Sequence, residues 1–302
     1  MIKEKKLKHF RFNFKAMGTL CEIQLFSEHP GKADRLSKRI IADVQRLEAK
    51  YSRYRQDSFL SKINLIALQG GSLAVDDETA VLLDYADTCY QQSDGLFDIT
   101  SGVLRGAWRF HSKQLPTQAE INPLLERVGW RKLDWQAPLI NFLLPGMELD
   151  FGGIVKEYAV DRAATLCREA GINHGFINLG GDIRLVGPRG QGEAWSVGIG
   201  HPRIHGTVLI NLAISRGALA SSGDYERCIV IDGVRYAHIL NPKTGWPVKH
   251  LAAVSVISDF CVVAGSASTI AMLKEEQGPK WLEDLGLPHL WMDVNGNRGG
   301  DL

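Results

Sequence analysis

The stretch from Glu148 to Ile183 constrains the fold of this chain more than any other, because its glycines divide it into distinct segments. In chain order, the sequence predicts a short apolar segment, a glycine pair, a helix, a glycine that ends the helix, and a buried strand before a second glycine pair. These segments are Met147–Phe151, Gly152–Gly153, the helix from Ile154, Gly171, and Gly175–Leu179 followed by Gly180–Gly181–Asp182. The other predicted elements are placed around this unit.

The first glycine pair has two interpretations. Glycine is needed where the backbone takes a positive φ or passes too close to a ligand for a Cβ atom. A glycine-rich turn at a helix N-terminus presents free N–H groups and the positive end of the helix dipole, which suits a phosphate. Lys156, just inside the helix, would add a positive charge. Two ordinary turns flanking a helix explain the same stretch equally well.

Length and composition indicate an ordinary globular protein. The chain has 302 residues, of which 45% are hydrophobic and 23% charged, and no shift in composition marks a linker. We therefore expect a single domain over residues 10–302, after a basic and flexible N-terminal segment, residues 1–9. A net charge of +1 gives no electrostatic reason to expect nucleic acid or a membrane surface as a partner.

The cysteines and the apolar segments indicate the compartment. The five cysteines are odd in number and widely spaced, and they form no CxxC pair, which argues against both a zinc site and a disulfide framework. No apolar run reaches the length of about 18 residues that a membrane span needs, and no secretory leader is visible. These features predict a cytoplasmic protein, or a periplasmic one if a leader has been removed.

Periodicity predicts an α+β fold of mixed and antiparallel sheets with packed helices, since runs of strands are interspersed with a few long helices. Predicted strands include two within Phe10–Phe26, pairs within Lys132–Leu149, Ala194–Ile199, Thr207–Ile214, a strand within Gly217–Asp224, a hairpin from Arg227–Ile231 to Val234–Leu240, Ala252–Ile257, and a last strand around Leu290 and Trp291. Predicted helices are Gly31–Tyr51, Ser58–Ala67, Asp76–Ser93, Thr117–Val128 and Val262–Leu273, and Asn295–Gly300 is predicted to be a frayed tail.

Familiar catalytic motifs are absent from the sequence. It contains no GxGxxG, GxxxxGK[ST], GxSxG or HExxH, which weakens nicotinamide, P-loop, serine-hydrolase and zincin interpretations. The remaining candidates are polar residues at strand ends and turns: Asp98, Asp150, Lys156, Asn178, Asp182, Asp224, His238 and Thr269. Taken singly, such an Asp is more often a turn residue, and His238, placed on an apolar strand, is more often a core histidine.

Taken together, eight segments make the chain resemble the ApbE family, the FAD:protein FMN transferases, from about Ala16 to Leu273. Each segment alone is a weak signal, but all occur in the family's order. They are AMGT (16–19), YSRYRQDSFLSKIN (51–64), SDGLFDIT (93–100), LDFGGIVKEYAVD (149–161), NLGGDI (178–183), WSVGIGHPR (195–203), ASSGDYER (220–227) and HILNPKTGWPV (238–248).

The resemblance implies an activity, its cofactors and its partners. Such enzymes cleave the FAD pyrophosphate, attach FMN to a Thr or Ser flavinylation site of an acceptor flavoprotein, and release AMP. A divalent ion, usually Mg²⁺, bridges the diphosphate, so catalysis is mostly positioning and neutralisation of phosphate charge. Two alternatives remain open: a degenerate FAD-binding protein without transfer, and a slow FAD pyrophosphatase.

The resemblance also implies roles for individual residues. His238 would move a proton from the acceptor hydroxyl, and Thr269 would act at the metal. The metal-binding positions would be Gly153, through its carbonyl, with Gly265, Ser268 and Thr269. The cofactor-binding residues would be Met17, Tyr54, Leu96, Phe97, Asp98, Asp150, Lys156, Asn178, Gly180, Gly181, Asp182, Ser222, Asp224 and Ile239.

Three positions depart from the family pattern. The late helix of the family reads approximately A-D-A-x-[AS]-T, but here Gly265 replaces its Asp. Because Mg²⁺ is usually held by carboxylates together with substrate phosphates, we expect weaker metal binding unless FAD supplies most of the ligands. Glu157 replaces the usual glycine after the lysine and adds negative charge beside the phosphate site. Asn241 replaces the usual Asp of the HxxDP turn, while Asp259 is not expected to substitute for the lost carboxylate.

Overall fold

The computed structural model describes residues 7–110 and 114–302. The helices are α1 Pro30–Tyr51, α2 Phe59–Gln69, α3 Asp77–Gln92, α4 Gln118–Leu125, α5 Val155–Glu169, α6 Cys261–Leu273 and α7 Gly278–Asp284, with 3₁₀ turns at Ile99–Gly106, Trp130–Lys132 and Glu275–Gln277. The strands are β1 Lys8–Ala16, β2 Thr19–Ser27, β3 Gly71–Ala74, β4 Leu133–Gln136, β5 Leu139–Phe142, β6 Gly175–Leu179, β7 Asp182–Gly187, β8 Trp195–Gly200, β9 Val208–Ile214, β10 Ala218–Gly223, β11 Cys228–Ile231, β12 Val234–Ala237, β13 Leu251–Ser258, β14 His289–Asp293 and β15 Arg298–Gly300.

An eight-stranded antiparallel sheet, in the order β1-β2-β6-β7-β10-β13-β14-β15, forms the centre of the fold. Because side chains alternate across a strand, each strand supplies both faces of the sheet. Ala218 and Ala220 belong to the main core under α1, α5 and α6, whereas Leu219 faces the opposite cluster beneath the β8–β9 hairpin. The sheet is therefore covered by helices on one face and by a hairpin on the other.

Local sequence signals define the helices. Helix α1 buries Leu36, Ile40, Val44 and Leu47 on one face, at the spacing of an amphipathic helix. Short polar side chains begin α2, α3 and α4. For α2, the N-cap is Ser58, whose hydroxyl accepts a hydrogen bond from the Ser61 N–H at 2.9 Å. Helix α3 is capped in the same way by Asp76, and α4 has a Thr117–Glu120 capping box.

The predicted α+β fold with antiparallel sheets and packed helices is confirmed. The prediction of a frayed tail over Asn295–Gly300 is wrong, because β15 pairs with β14 there. His238 lies just beyond β12, so its assignment to a strand is also wrong. Strand β1 begins at Lys8, inside the segment predicted to be flexible, and the first six residues of that segment lie outside the described residues.

Over residues 7–110 and 114–302, no helix is both long and apolar enough to cross a membrane.

Candidate functional site

The start of α5, the start of β7, the end of β10 and one face of α6 bring the predicted phosphate and metal residues together. Lys156 Nζ lies 2.5 Å from Asp182 Oδ2, which joins α5 to β7. The Ser222 hydroxyl is hydrogen-bonded to those of Ser268, at 2.8 Å, and Thr269, at 2.9 Å, which joins β10 to α6. Residues that are far apart in the sequence therefore form one polar cluster.

A contact between two neighbouring strands closes this cluster. The backbone N–H of Ser221 on β10 donates to Asp182 Oδ1 at 3.4 Å. Asp182 therefore contacts both Lys156 and the strand that carries Ser222. The sheet order, which places β7 next to β10, sets this arrangement.

The second glycine pair turns β6 into β7. Gly180 and Gly181 have φ values of 64° and 97°, in the region that favours glycine. Asn178 Oδ1 accepts a hydrogen bond from the Gly181 N–H at 2.8 Å. A Cβ atom at Gly180 would lie 2.5 Å from Thr19 Oγ1, so the turn packs directly on the β1–β2 connection.

The first glycine pair lies in a tightly packed space and has no positive φ. A Cβ atom at Gly153 would lie 3.2 Å from Cζ of the buried Phe97 ring. A Cβ atom at Gly152 would lie 3.1 Å from Asp150 Oδ1, which accepts a hydrogen bond from the Gly152 N–H at 2.9 Å. The backbone before α5 is therefore closely packed, with Gly153 three residues before Lys156 in the chain.

Asp150 forms an ion pair with Arg53, which sequence reasoning had not selected as a site residue. Arg53 also donates to the Tyr54 hydroxyl at 3.0 Å, and its guanidinium carbon lies 5.0 Å from the Tyr54 ring centroid. The Tyr54 side chain is 72% exposed, so its ring is open to stack on a planar group.

The predicted residues Leu96, Phe97 and Asp98 differ in their surroundings. Asp98 is buried, and its carboxylate accepts hydrogen bonds from Thr100 N–H, at 2.8 Å, and Trp130 N–H, at 2.9 Å. Burial raises the pKa of Asp98, while these donors lower it. The half-buried Leu96 instead lines a surface cavity of about 670 Å³. Asp98 therefore holds the segment in place from within the protein.

Met17 and Arg227 place the β1–β2 turn near the end of the β11–β12 hairpin. Met17 has a φ of 53°, and its N–H donates to Glu48 Oε1 at 2.7 Å. A Cβ atom at the next residue, Gly18, would lie 3.7 Å from the Arg227 guanidinium. Arg227 in turn contacts His238, because its carbonyl accepts the His238 N–H at 2.9 Å.

His238 is oriented by the backbone of Arg227. Its Nδ1 lies 3.2 Å from the Arg227 carbonyl, and a proton on Nδ1 donated to that carbonyl leaves Nε2 as the proton acceptor. Burial, followed by the positive charges of Arg227, Lys156 and Arg53, lowers the pKa of His238 below its ordinary value. The next residue, Ile239, is buried.

Asp224, at the end of β10, is held by Arg203. The Arg203 guanidinium donates to Asp224 Oδ1 at 2.6 Å and to Oδ2 at 2.7 Å, and the carboxylate is buried. A bidentate pair of this kind has a defined geometry as well as strength. It attaches the segment after β8 to the wall formed by Ser222 and Asp224.

Glu157 lies over Gly265, in the gap between α5 and α6. A Cβ atom at Gly265 would lie 2.5 Å from Glu157 Cγ and 3.3 Å from its Oε1. Glu157 is buried, and its Oε2 has no hydrogen-bond partner among the described residues. Burial, followed by the negative charge of Asp182, raises the pKa of Glu157 to about 8. The sequence had indicated only that Glu157 adds charge here.

The oxygen donors at the predicted metal position suit a hard cation. No group of three or more His, Cys, Asp or Glu residues in the described part of the chain could hold a metal ion. The donors that the prediction names are the hydroxyls of Thr269 and Ser268 and the Gly153 carbonyl, and the Glu157 carboxylate lies over Gly265. Mg²⁺ prefers oxygen ligands and is commonly held by one or two carboxylates together with substrate phosphates, so this set fits Mg²⁺ when a diphosphate is bound.

Comparisons with known proteins agree with this architecture. The sequence profile of the ApbE family matches residues 17–291. The FAD:protein FMN transferase of Vibrio cholerae is 30% identical over 299 residues, covering 95% of this chain and 88% of that protein. The Haemophilus influenzae protein of the same name is 26% identical over 279 residues, covering 88% of this chain and 81% of that protein.

Solved structures show the same fold. The crystal structure of the ApbE protein from Thermotoga maritima superposes with a TM-score of 0.89 at 29% identity and covers 97% of both chains. The flavin transferase ApbE from Vibrio cholerae superposes with a TM-score of 0.86 at 27% identity, covering 98% of this chain and 97% of that one. This chain therefore belongs to the ApbE family.

Proposed function

We propose that this protein is an FAD:protein FMN transferase, which cleaves the FAD pyrophosphate, attaches FMN through a phosphoester to a Thr or Ser of an acceptor flavoprotein, and releases AMP. One observation carries the proposal: Lys156, the Ser222–Thr269 hydroxyl pair and a neutral His238 lie at one end of the sheet in a chain whose curated relatives have this name.

Lys156 would neutralise the FAD phosphates. Burial alone would lower the pKa of Lys156, but the charges of Asp182 and Glu157 raise it, so the ammonium group stays protonated. Asp182 also fixes its position, because the two groups are 2.5 Å apart. A positioned positive charge is what phosphoryl transfer needs most from the protein, since charge spreads over the phosphate oxygens in the transition state.

His238 would accept the proton of the acceptor hydroxyl through Nε2. In this step, the hydroxyl oxygen forms a bond to the FMN phosphorus and the bond from that phosphorus to the AMP oxygen breaks. A neutral imidazole is required as the base, and the lowered pKa of His238 supplies it at neutral pH. The exposed Tyr54 ring, with Met17 and Ile239, would help to seat the FAD rings.

Bound Mg²⁺ would supply additional neutralisation of charge on the diphosphate oxygens. The Gly153 carbonyl and the Thr269 and Ser268 hydroxyls are the predicted ligands. Position 265 offers only its backbone carbonyl, which accepts the Ser268 hydroxyl at 2.9 Å. The absence of a carboxylate at this position favours the second candidate, a protein that binds FAD without transferring FMN or that hydrolyses it slowly.

One experiment separates these functions. The purified protein is incubated with FAD, Mg²⁺ and an acceptor flavoprotein domain that has a threonine flavinylation site. The same domain with that threonine replaced by alanine serves as the matched control. We expect mass spectrometry to show FMN added only to the threonine domain, with an equal amount of AMP released. Retention of intact FAD would support the binding protein, and free FMN with AMP would support the pyrophosphatase.

A further inference from the structure

Two departures from the family pattern face each other across one helix–helix contact. Gly265 on α6 has no side chain, and Glu157 on α5 fills the space where that side chain would be. The Cγ atom of Glu157 would be only 2.5 Å from a Cβ atom at position 265, closer than real Cβ atoms approach. Positions 157 and 265 are therefore linked by packing. A carboxylate can extend into this space from either helix, but the present packing leaves no room for two side chains.

The carboxylate of Glu157 lies over Gly265, on the face of α6 that also carries Thr269. Gly265 and Thr269 are four residues apart in α6, so they share one face of the helix. The Thr269 hydroxyl is held by Ser222 at 2.9 Å, and Ser268 donates to the Gly265 carbonyl at 2.9 Å. A carboxylate over Gly265 thus lies about one helical turn from Thr269 on the same face of α6, as a side chain of residue 265 would.

Glu157 has few polar partners in the part of the chain that the structure describes. Its Oε2 is buried without a hydrogen-bond partner among residues 7–110 and 114–302, and its Oε1 is 3.8 Å from Lys156 Nζ, which is closer to Asp182. With a pKa raised to about 8 by burial and by Asp182, Glu157 is protonated at neutral pH when no cation binds it, and its proton can be shared with Asp182. A cation bound beside Glu157 would displace that proton and stabilise the ionised carboxylate, which burial otherwise makes costly.

We propose that Glu157 is the carboxylate ligand of the divalent cation, taking the place of the Asp expected at position 265. The carboxylate has moved from α6 to α5, and the site keeps its charge and its hard oxygen donors. This inference rests on the proposed function only in assuming that a cation bridges the FAD diphosphate here. It predicts that metal affinity depends on Glu157 and on bound nucleotide.

The test measures Mn²⁺ binding directly, as the loss of the free Mn²⁺ signal in electron paramagnetic resonance, with and without FAD. Three variants are compared with the native protein: Glu157→Gln, the double exchange Glu157→Gly with Gly265→Asp, and Glu226→Gln. The last is the matched control, because Glu226 acts electrostatically on the same Lys156 and Asp182 but is exposed. Flavin fluorescence measures FAD affinity, and thermal melting verifies folding.

We expect the native protein to bind Mn²⁺ tightly only with FAD present. Glu157→Gln should weaken Mn²⁺ binding by at least about 10-fold, a loss typical of ligand-shell changes, while Glu226→Gln changes it by less than about 3-fold. The double exchange should return the affinity to within about 3-fold of the native value, because it restores a carboxylate to the same space. If Glu157→Gln fails to fold, Glu157→Gly alone and the double exchange provide the same comparison.

Unchanged Mn²⁺ affinity in Glu157→Gln, with FAD still bound, would overturn the inference, as would an absence of Mn²⁺ binding by the native protein with FAD. These results are independent of the flavinylation assay. Native protein that labels the acceptor while Glu157→Gln binds Mn²⁺ normally would keep the proposed function and reject Glu157 as a ligand. Mn²⁺ binding that depends on Glu157, without labelling of the acceptor, would keep Glu157 as a ligand and reject the proposed function.

Discussion

The side chain of Glu157 and the missing side chain of Gly265 occupy one space: a Cβ atom at position 265 would lie 2.5 Å from Glu157 Cγ and 3.1 Å from its Cδ. Both residues are buried, so neither can move into solvent without disturbing the contact between α5 and α6. This relationship changes what a substitution intended to restore the family pattern would do.

Gly265→Asp alone should therefore destabilise the protein rather than improve the site. Overpacking of a buried contact costs about 1–3 kcal/mol, and a second carboxylate beside Glu157 adds repulsion. Thermal unfolding should show the loss, and adding Glu157→Gly should recover it. Gly200→Ala is the control, since a Cβ atom there meets no described residue within 4 Å. A single Gly265→Asp variant as stable as the native protein would contradict this packing.

The pH dependence of transfer should follow His238. Burial and the neighbouring positive charges lower its folded pKa below the ordinary value of about 6.5, so the imidazole is neutral at neutral pH. The transfer rate should be constant near pH 7 and fall only as the pH decreases below about 6.5, when the protonated ring can no longer accept a proton. His238→Gln should lower the rate by roughly 10²–10⁴-fold and remove this acidic limb.

The control for this prediction is His174→Gln. The ring Nδ1 of His174 is 3.0 Å from the Pro188 carbonyl, beside β6, and it has no part in the proposed chemistry. The rate and pH profile should be unchanged. Retention of the full rate by His238→Gln would remove His238 from the proton-transfer step.

Much of the fold was predictable because its signals are local. The amphipathic spacing of α1 and the turn at Asp232–Gly233 each define an element within a short window, and both elements are present. Strand β15 was missed because Arg298–Gly300 has no apolar alternation. It is ordered by pairing with β14, a tertiary interaction that a short window does not contain.

The candidate site was predictable only as a set of positions. The motif order indicated Lys156, Asp182 and Thr269, and the structure brings them into one cluster. The order of motifs in the sequence could not show that Glu157 fills the space at Gly265, because that contact depends on how α5 and α6 cross. The sequence signal for this contact was a pair of departures from the family pattern. Glu157 stands where the family usually has glycine, and Gly265 stands where it has Asp.

Glu78 should contribute stability that depends on pH. Hydrogen bonds from Arg46, at 2.7 and 2.8 Å, and from Lys50, at 2.9 Å, lower the pKa of Glu78 from 4.5 to about 2. Because the folded-state pKa is the lower one, this stability is fully present above about pH 4.5 and is lost as the pH falls towards 2. Glu78→Gln should cost about 1–3 kcal/mol at pH 7, as for a hydrogen bond to charged groups, and almost nothing near pH 2.

Glu283→Gln is the matched control for Glu78. Glu283 pairs with Lys280 at 3.6 Å, but its side chain is 58% exposed, so the loss should be within about 0.5 kcal/mol at either pH. Urea unfolding at pH 7 and near pH 2 measures both variants. Equal losses for Glu78→Gln and Glu283→Gln at pH 7 would show that the Arg46–Lys50–Glu78 network has no special contribution.

Gly180→Ala should be more harmful than Gly181→Ala, although both residues have positive φ values, of 64° and 97°. Either alanine would have to adopt a left-handed backbone conformation, which lowers the free energy of unfolding by about 1–2 kcal/mol. At Gly180, the new Cβ atom would also lie 2.5 Å from Thr19 Oγ1 and 2.8 Å from its Cγ2, whereas at Gly181 it would meet no atom within 4 Å in the described part of the chain. The difference in the free energy of unfolding should be about 1–3 kcal/mol, and adding Thr19→Ala to Gly180→Ala should recover part of it. Equal losses at the two glycines would mean that backbone strain alone, and not packing on Thr19, requires glycine in this turn.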